Sequence, residues 1–176
     1  VANDAFVASV GQLPQLCPQF HLALQSGSDA VLRRMKRRYN TTQFMAAVER
    51  LRAVWPKAAF TTDVIVGFPG ETEEEFQQTL DFCEKVGFAK IHVFPYSKRE
   101  GTPAADMPDQ IPEPEKEKRV HRLMALEKQL EQCSTQWMHS EEQKLFENTF
   151  ADKEAGRIDL YNRFLTENKN RLQKKY

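Results

Sequence analysis

The chain has 176 residues, 40% hydrophobic and 10% aromatic, enough for one domain with a sizeable core or a small domain with an appendage. Its 25 Lys+Arg balance 25 Asp+Glu, which excludes a strongly basic nucleic-acid module at the level of the whole chain. No apolar run approaches the roughly 20 residues that span a bilayer, and Val1-Ala2-Asn3-Asp4 has neither the basic start nor the apolar core of a signal peptide. A cytoplasmic chain with no membrane partner is therefore expected.

A short helix is expected at Asp4 to Val10, and Phe20 to Gln25 reads as the first strand. Leu24-Gln25-Ser26-Gly27-Ser28-Asp29 then sets a polar, glycine-relaxed turn on a strand end. Its backbone N–H groups and the Gln25 and Ser26 side chains can receive a ribose or a carboxylate; an ordinary strand-to-helix turn is the alternative. Ser28 or Asp29 can cap a short helix through Met35. Arg33-Arg34-x-Lys36-Arg37-Arg38 holds five cations in six positions, either a solvated face or a phosphate contact.

The Asn40-Thr41-Thr42 cluster can cap the next helix, in which Phe44, Val48, Leu51 and Val54 share one face and which stops before Pro56. Phe60 to Val66 reads as the second strand, and Gly67-Phe68-Pro69-Gly70-Glu71 as a tight turn. It is neither a P-loop nor a dinucleotide fingerprint. Thr72 with Glu75 forms a capping box, and Glu71, Glu73, Glu74 and Glu75 load the first turn of a helix carrying Phe76, Leu80 and Cys83. So much negative charge disfavours a bare phosphate; an amino group or a sulfonium fits better.

Ile91 to Phe94 reads as a third strand, followed by Tyr96-Ser97-Lys98-Arg99-x-Gly101-Thr102, a loop able to read an unstacked base or a cofactor. His21 and His92 stand inside strands and read as structural. Five of the nine prolines fall between Pro95 and Pro114, which reads as a long surface loop. Glu115 to about Gln136 is one amphipathic helix laced with alternating charges. Beyond Ser140, Leu145-Phe146 and Leu160 to Leu165 fit short strands or a frayed helix, and Lys169 to Tyr176 reads as a disordered end.

Strand, helix, strand, helix, strand with nearly continuous apolar strands argues for a parallel α/β sheet, with sites at the carboxyl ends of its strands. Cys17, Cys83 and Cys133 lie 66 and 50 residues apart, which is neither a disulfide framework nor a metal or iron-sulfur site. Lone Asp63 lacks the second carboxylate of an acid-base hydrolase.

Taken together, His21-x-x-Leu24-Gln25-Ser26-Gly27-Ser28-Asp29, Met35-x-Arg37-Arg38-Tyr39, Thr62 to Thr72 and Tyr96-Ser97-x-Arg99-x-Gly101-Thr102-x-Ala104 resemble the radical S-adenosylmethionine methylthiotransferases over residues 5 to 130. Within that family, His92 to Ser97 with Arg99 resembles the branch acting on threonylcarbamoyladenosine in tRNA more than the isopentenyladenosine branch or the branch acting on a ribosomal-protein aspartate.

The resemblance implies a partial (β/α) barrel over residues 1–112, the last three β/α units of a six-unit barrel. A connecting helix over 113–139 and an irregular tail over 140–176, the remnant or start of a small RNA-binding β-domain, would follow. It implies S-adenosylmethionine and two [4Fe–4S] clusters as cofactors of the intact enzyme, the first cluster generating a deoxyadenosyl radical and the second supplying sulfur. Gln25, Ser26, Arg38, Asp63, Ile65, Gly67, Phe94 and Tyr96 would meet the S-adenosylmethionine, and Arg34, Arg37 and Arg99 the tRNA anticodon loop. The C-x-x-x-C-x-x-C of the family is absent, Asp63 replaces the first glycine of a G-x-I-x-G-x-x-E pattern, and Glu71 falls one place late. The chain is thus expected to be a fragment, inactive alone, that needs an N-terminal partner piece and self-associates through its open barrel. A non-enzymatic α/β RNA-binding module is the alternative.

Overall fold

In a computed structural model, the structure describes the backbone of residues 2–13 and 16–150 and the side chains of those up to 132. The chain divides into two units, residues 1–134 and 135–176, and apart from the last part of α5 the elements below lie in the first. Its elements are α1 (Asp4–Val10), β1 (Gln19–His21), α2 (Asp29–Arg34), α3 (Thr41–Val54), β2 (Ala59–Val66), α4 (Glu73–Val86), β3 (Lys90–Pro95), a 3₁₀ turn (Pro103–Ala105) and α5 (Glu113–Phe150). The strands form one parallel sheet in the order β1-β2-β3, with Phe20 beside Phe60 and Asp63 beside His92. This is the open α/β sheet expected of a partial barrel.

Polar chemistry at the helix ends fixes the boundaries. Thr72 Oγ1 accepts the Glu75 N–H at 3.2 Å and Glu75 Oε2 accepts the Thr72 N–H at 2.9 Å, which is the expected capping box. Asn40 forms a second box with Gln43 at the start of α3. Ser28 sits at the N-cap of α2 without a capping bond from its side chain. Asp29 instead accepts the Thr41 N–H at 2.8 Å, joining α2 to the start of α3.

The first strand is shorter than its sequence suggests. Ladder bonds run from Leu22 N–H to Thr61 O and from Gln25 N–H to Asp63 O, so three residues of one chain segment advance against two of β2. The fully buried Thr62 fills this bulge: its hydroxyl donates to Leu22 O at 2.6 Å and accepts the Leu24 N–H at 3.0 Å. Tyr39 Oη donates at 2.8 and 3.0 Å to the carbonyls of Ala23 and Leu24 on the same segment. Regular pairing ends at His21, and Gln25 rejoins through a single bridge to Val64 with φ +69°.

Nor are the strands buried on both faces. In β2, Phe60, Thr62, Val64 and Val66 are buried, whereas Thr61, Asp63 and Ile65 are half-buried on the opposite face. The covered face packs with Leu24, Val48, Leu51, Phe76, Phe88 and Leu123, the full burial of each Leu or Phe contributing about 1.5–3 kcal/mol. On the other face lie His21, Lys90, His92 and Phe94, all exposed. The period of two belongs to a sheet covered on one side.

Between β3 and α5 the chain is tied down rather than loose. The Gly70 N–H donates to Asp109 O at 2.9 Å, and Gln110 Nε2 donates to the carbonyls of Ala104 and Met107. α5 starts at Glu113, with Pro114 in its first turn, and runs to Phe150, well past the expected end near Gln136. Leu145-Phe146 therefore lies in helix; the expected strand at Leu160 to Leu165 and the end at Lys169 to Tyr176 fall outside the described residues.

Candidate functional site

The turn after the bulge is built around α4. Ser26 is fully buried; its hydroxyl lies 3.2 Å from Thr79 Oγ1 and accepts the Ser28 N–H. The Gly27 N–H donates to Thr79 Oγ1 at 3.1 Å, and a Cβ at Gly27 would stand 2.6 Å from Thr79 Cα. Gly27 is thus needed for close approach of the turn to α4. Gln25 is buried as well, and its left-handed backbone ends the pairing with β2.

The second turn, Gly67 to Glu71, is closed from inside. Glu71 is buried, its Oε2 accepting the Gly67 N–H at 2.6 Å and Arg119 Nη1 at 2.7 Å, while Arg119 also donates to Glu71 O. Burial pushes the Glu71 carboxyl above its ordinary range, against the opposing pull of these two donors. Gly67 has φ +71°, and a Cβ there would meet Lys116 Cγ at 2.5 Å. Lys116 Nζ donates to Tyr96 O at 2.9 Å and lies 5.5 Å from the Tyr96 ring centre, and Tyr96 packs edge-on against Phe68. The neighbour close to Gly67 is a lysine stem of α5, and Glu71 is internally paired rather than displayed to a cationic guest.

Lys116 and Arg119 belong, by sequence, to the alternating charges of the amphipathic helix, yet both are buried. Their spacing of three with Val120 and Leu123 on the inward side was the available signal.

The exposed sheet face gathers a third group. His21, Asp63 and His92 come together there, with His21 Nε2 3.2 Å from Asp63 Oδ2 and His21 Nδ1 3.0 Å from Thr61 Oγ1. One ladder step further on, Ile65 and Phe94 stand in register, Phe94 half exposed at 51%. Together they make an apolar step at the carboxyl end of the sheet on which a flat ring can rest.

Among the expected RNA contacts, Arg34 forms a two-pronged ion pair with Glu75 at 2.9 and 2.5 Å. Arg37 and Arg38 are exposed after α2, and Arg99 is exposed after β3, so these cations follow the two edge strands. The structure brings Asp63, Ile65 and Phe94 onto one face, turns Tyr96 towards Phe68 and Lys116, and keeps Ser26 inside.

Among the described residues no set of cysteines fits a [4Fe–4S] cluster. Among the described residues Cys17 is exposed and Cys83 is sealed in the core, where burial pushes its thiol up to about 12, so it is no thiolate. An adenine-bearing cofactor fits better, on the Ile65–Phe94 step beside the polar strand ends. Among the described residues no helix is long and apolar enough to cross a membrane.

Residues 6–83 match the family model described as the radical SAM superfamily. Over 128 residues, 73% of this chain, the chain is 48% identical to the tRNA-2-methylthio-N(6)-dimethylallyladenosine synthase of Nocardia farcinica, covering 25% of that protein. The protein of the same name from Acidothermus cellulolyticus is 51% identical over 128 residues, 73% of this chain and 26% of its own length. That of Corynebacterium urealyticum is 43% identical over 156 residues, 88% of this chain and 29% of its own length. The chain spans about a quarter of the length of the curated relatives it matches. All three relatives carry the dimethylallyladenosine name rather than that of the threonylcarbamoyladenosine branch expected from His92 to Ser97 with Arg99.

Proposed function

We propose that this chain is the carboxyl half of the barrel of a radical SAM methylthiotransferase that acts on N6-dimethylallyladenosine in tRNA in the cytoplasm. The observation that carries the reading is the identity of about one half to synthases of that name over most of this chain. Such methylthiotransferases use S-adenosylmethionine and [4Fe–4S] clusters, and the cofactors supply the radical and the sulfur. The cluster thiolates must come from outside these 176 residues, because the three cysteines here form no ligand set.

In this reading Ile65 and Phe94 carry the adenine of S-adenosylmethionine. The backbone at Gln25 and Gly67 shapes the strand ends around it, Arg38 faces its carboxylate, and Arg37 and Arg99 take anticodon-loop phosphates. The outer edges of β1 and β3, unpaired among the described residues, await the amino-terminal half of the barrel or a second copy of the chain.

The test is nucleoside analysis of tRNA from cells in which the gene holding this chain is deleted. Loss of the 2-methylthio group from N6-dimethylallyladenosine supports the reading. Loss from threonylcarbamoyladenosine instead moves the enzyme to the other branch, and loss from neither overturns methylthiolation.

A further inference from the structure

We propose that His21, Asp63 and His92 form a binding site for a divalent transition-metal ion, with Zn²⁺ as the fitting class, on the open face of the sheet. One ligand atom of each residue lies within 4.8 Å of the others, and His21 Nε2 is already 3.2 Å from Asp63 Oδ2. Tetrahedral Zn²⁺ with bonds of about 2.0–2.1 Å sets its ligand atoms about 3.3 Å apart. The His21–Asp63 edge therefore has the required length, and the exposed His92 ring needs a shift of about 1.5 Å or less, within reach of a rotamer adjustment.

Three separate strands hold the ligands, so the parallel register presets the site. Asp63 and His92 are direct partners across β2 and β3, and His21 is one same-face position away across β1 and β2. Thr61 supplies the outer support. Its hydroxyl, 3.0 Å from His21 Nδ1, can accept the Nδ1–H and so select the tautomer whose Nε2 lone pair points at Asp63. The ion would sit between Nε2 and the carboxylate oxygen, which already face each other at 3.2 Å. Two imidazoles and one carboxylate leave at least one coordination position open, as in sites that carry a water or a substrate atom. The proposal rests on these side chains alone and stands apart from the methylthiotransferase reading.

The test is titration of the chain, carrying Cys17→Ser to remove an exposed thiol, with Zn²⁺ by calorimetry and with Co²⁺ by visible spectroscopy. The expected result is one ion per chain, with d–d bands of a nitrogen–oxygen site and no thiolate charge-transfer band. Asp63→Asn and His92→Ala should each weaken binding by about 100-fold or more, and Thr61→Val by about tenfold. All three lie on the exposed face, and circular dichroism checks that each variant keeps the fold. Absence of stoichiometric uptake, uptake unchanged in Asp63→Asn and His92→Ala, or a cobalt–thiolate band would overturn the proposal.

Discussion

Arg34 and Glu75, 41 residues apart, form a two-pronged ion pair, and the oxygen of Glu75 that receives Arg34 Nη2 also accepts the Thr72 N–H that closes the cap of α4. One carboxylate thus starts a helix and holds the end of α2 against it. The guanidinium keeps the Glu75 carboxyl below its ordinary range. A depressed folded value means that its stabilisation is present above the unfolded value, near 4.3, and is lost as pH falls through the lower folded value. Acid unfolding followed by circular dichroism should show this loss in the parent chain and a flatter dependence in Arg34→Gln. Equal acid profiles would separate the pair from stability.

Arg119→Met should destabilise the chain by about 3–5 kcal/mol at neutral pH, because it leaves the Glu71 carboxylate buried without its cation. Glu71 already has a raised carboxyl, so in this variant folding favours its protonated form more strongly. That contribution is whole below the unfolded value and lost as pH rises through the folded one, so the deficit grows with pH. Urea melts at pH 5 and pH 8 read the difference. The double variant Glu71→Gln/Arg119→Met should recover most of the loss.

Gly27→Ala should cost about 1–3 kcal/mol through overpacking, since the added carbon would meet Thr79 Cα at 2.6 Å and Phe82 Cβ at 2.8 Å. Gly101→Ala, whose new carbon meets nothing within 4 Å, should cost only the smaller strain of its φ of +77°. Thermal melts of the two variants side by side distinguish contact from conformation.

Incubation of the chain with iron and sulfide should give no stoichiometric [4Fe–4S] absorbance, as Cys83 is inaccessible and Cys17 lies outside any C-x-x-x-C-x-x-C pattern. Uptake of four irons per chain would show that these cysteines assemble a ligand set after all.

Local signals were readable in the sequence and distant ones were not. The Thr72–Glu75 box and the stop of α3 before Pro56 rest on residues a few positions apart, and the structure has both. β1 is cut short because Thr62, some 40 residues away, inserts its hydroxyl where a ladder bond would run. His21 and His92 read as structural because nothing local links them to Asp63; only the strand register does. The alternation of Thr61, Asp63 and Ile65 with buried neighbours was present in the sequence, but an apolar run such as Val64-Ile65-Val66 masks a period of two. Arg119 was hidden for a related reason, since a charged helix looks solvated until its partner is known.

The clamp from α5 also sets an order in time. Glu71 and the cation that neutralises it are 48 residues apart, so at about 5–20 residues per second a ribosome needs roughly 2–10 s to supply the second after the first. During that interval the strands and α4 have been made, while the turn from Gly67 to Glu71 lacks both Arg119 and the Lys116 stem. The residues of all three strands and of α4 are therefore synthesised before the two cations that close this turn, and a chain stalled between β3 and α5 holds the Glu71 carboxylate without the counter-ion that the finished fold gives it.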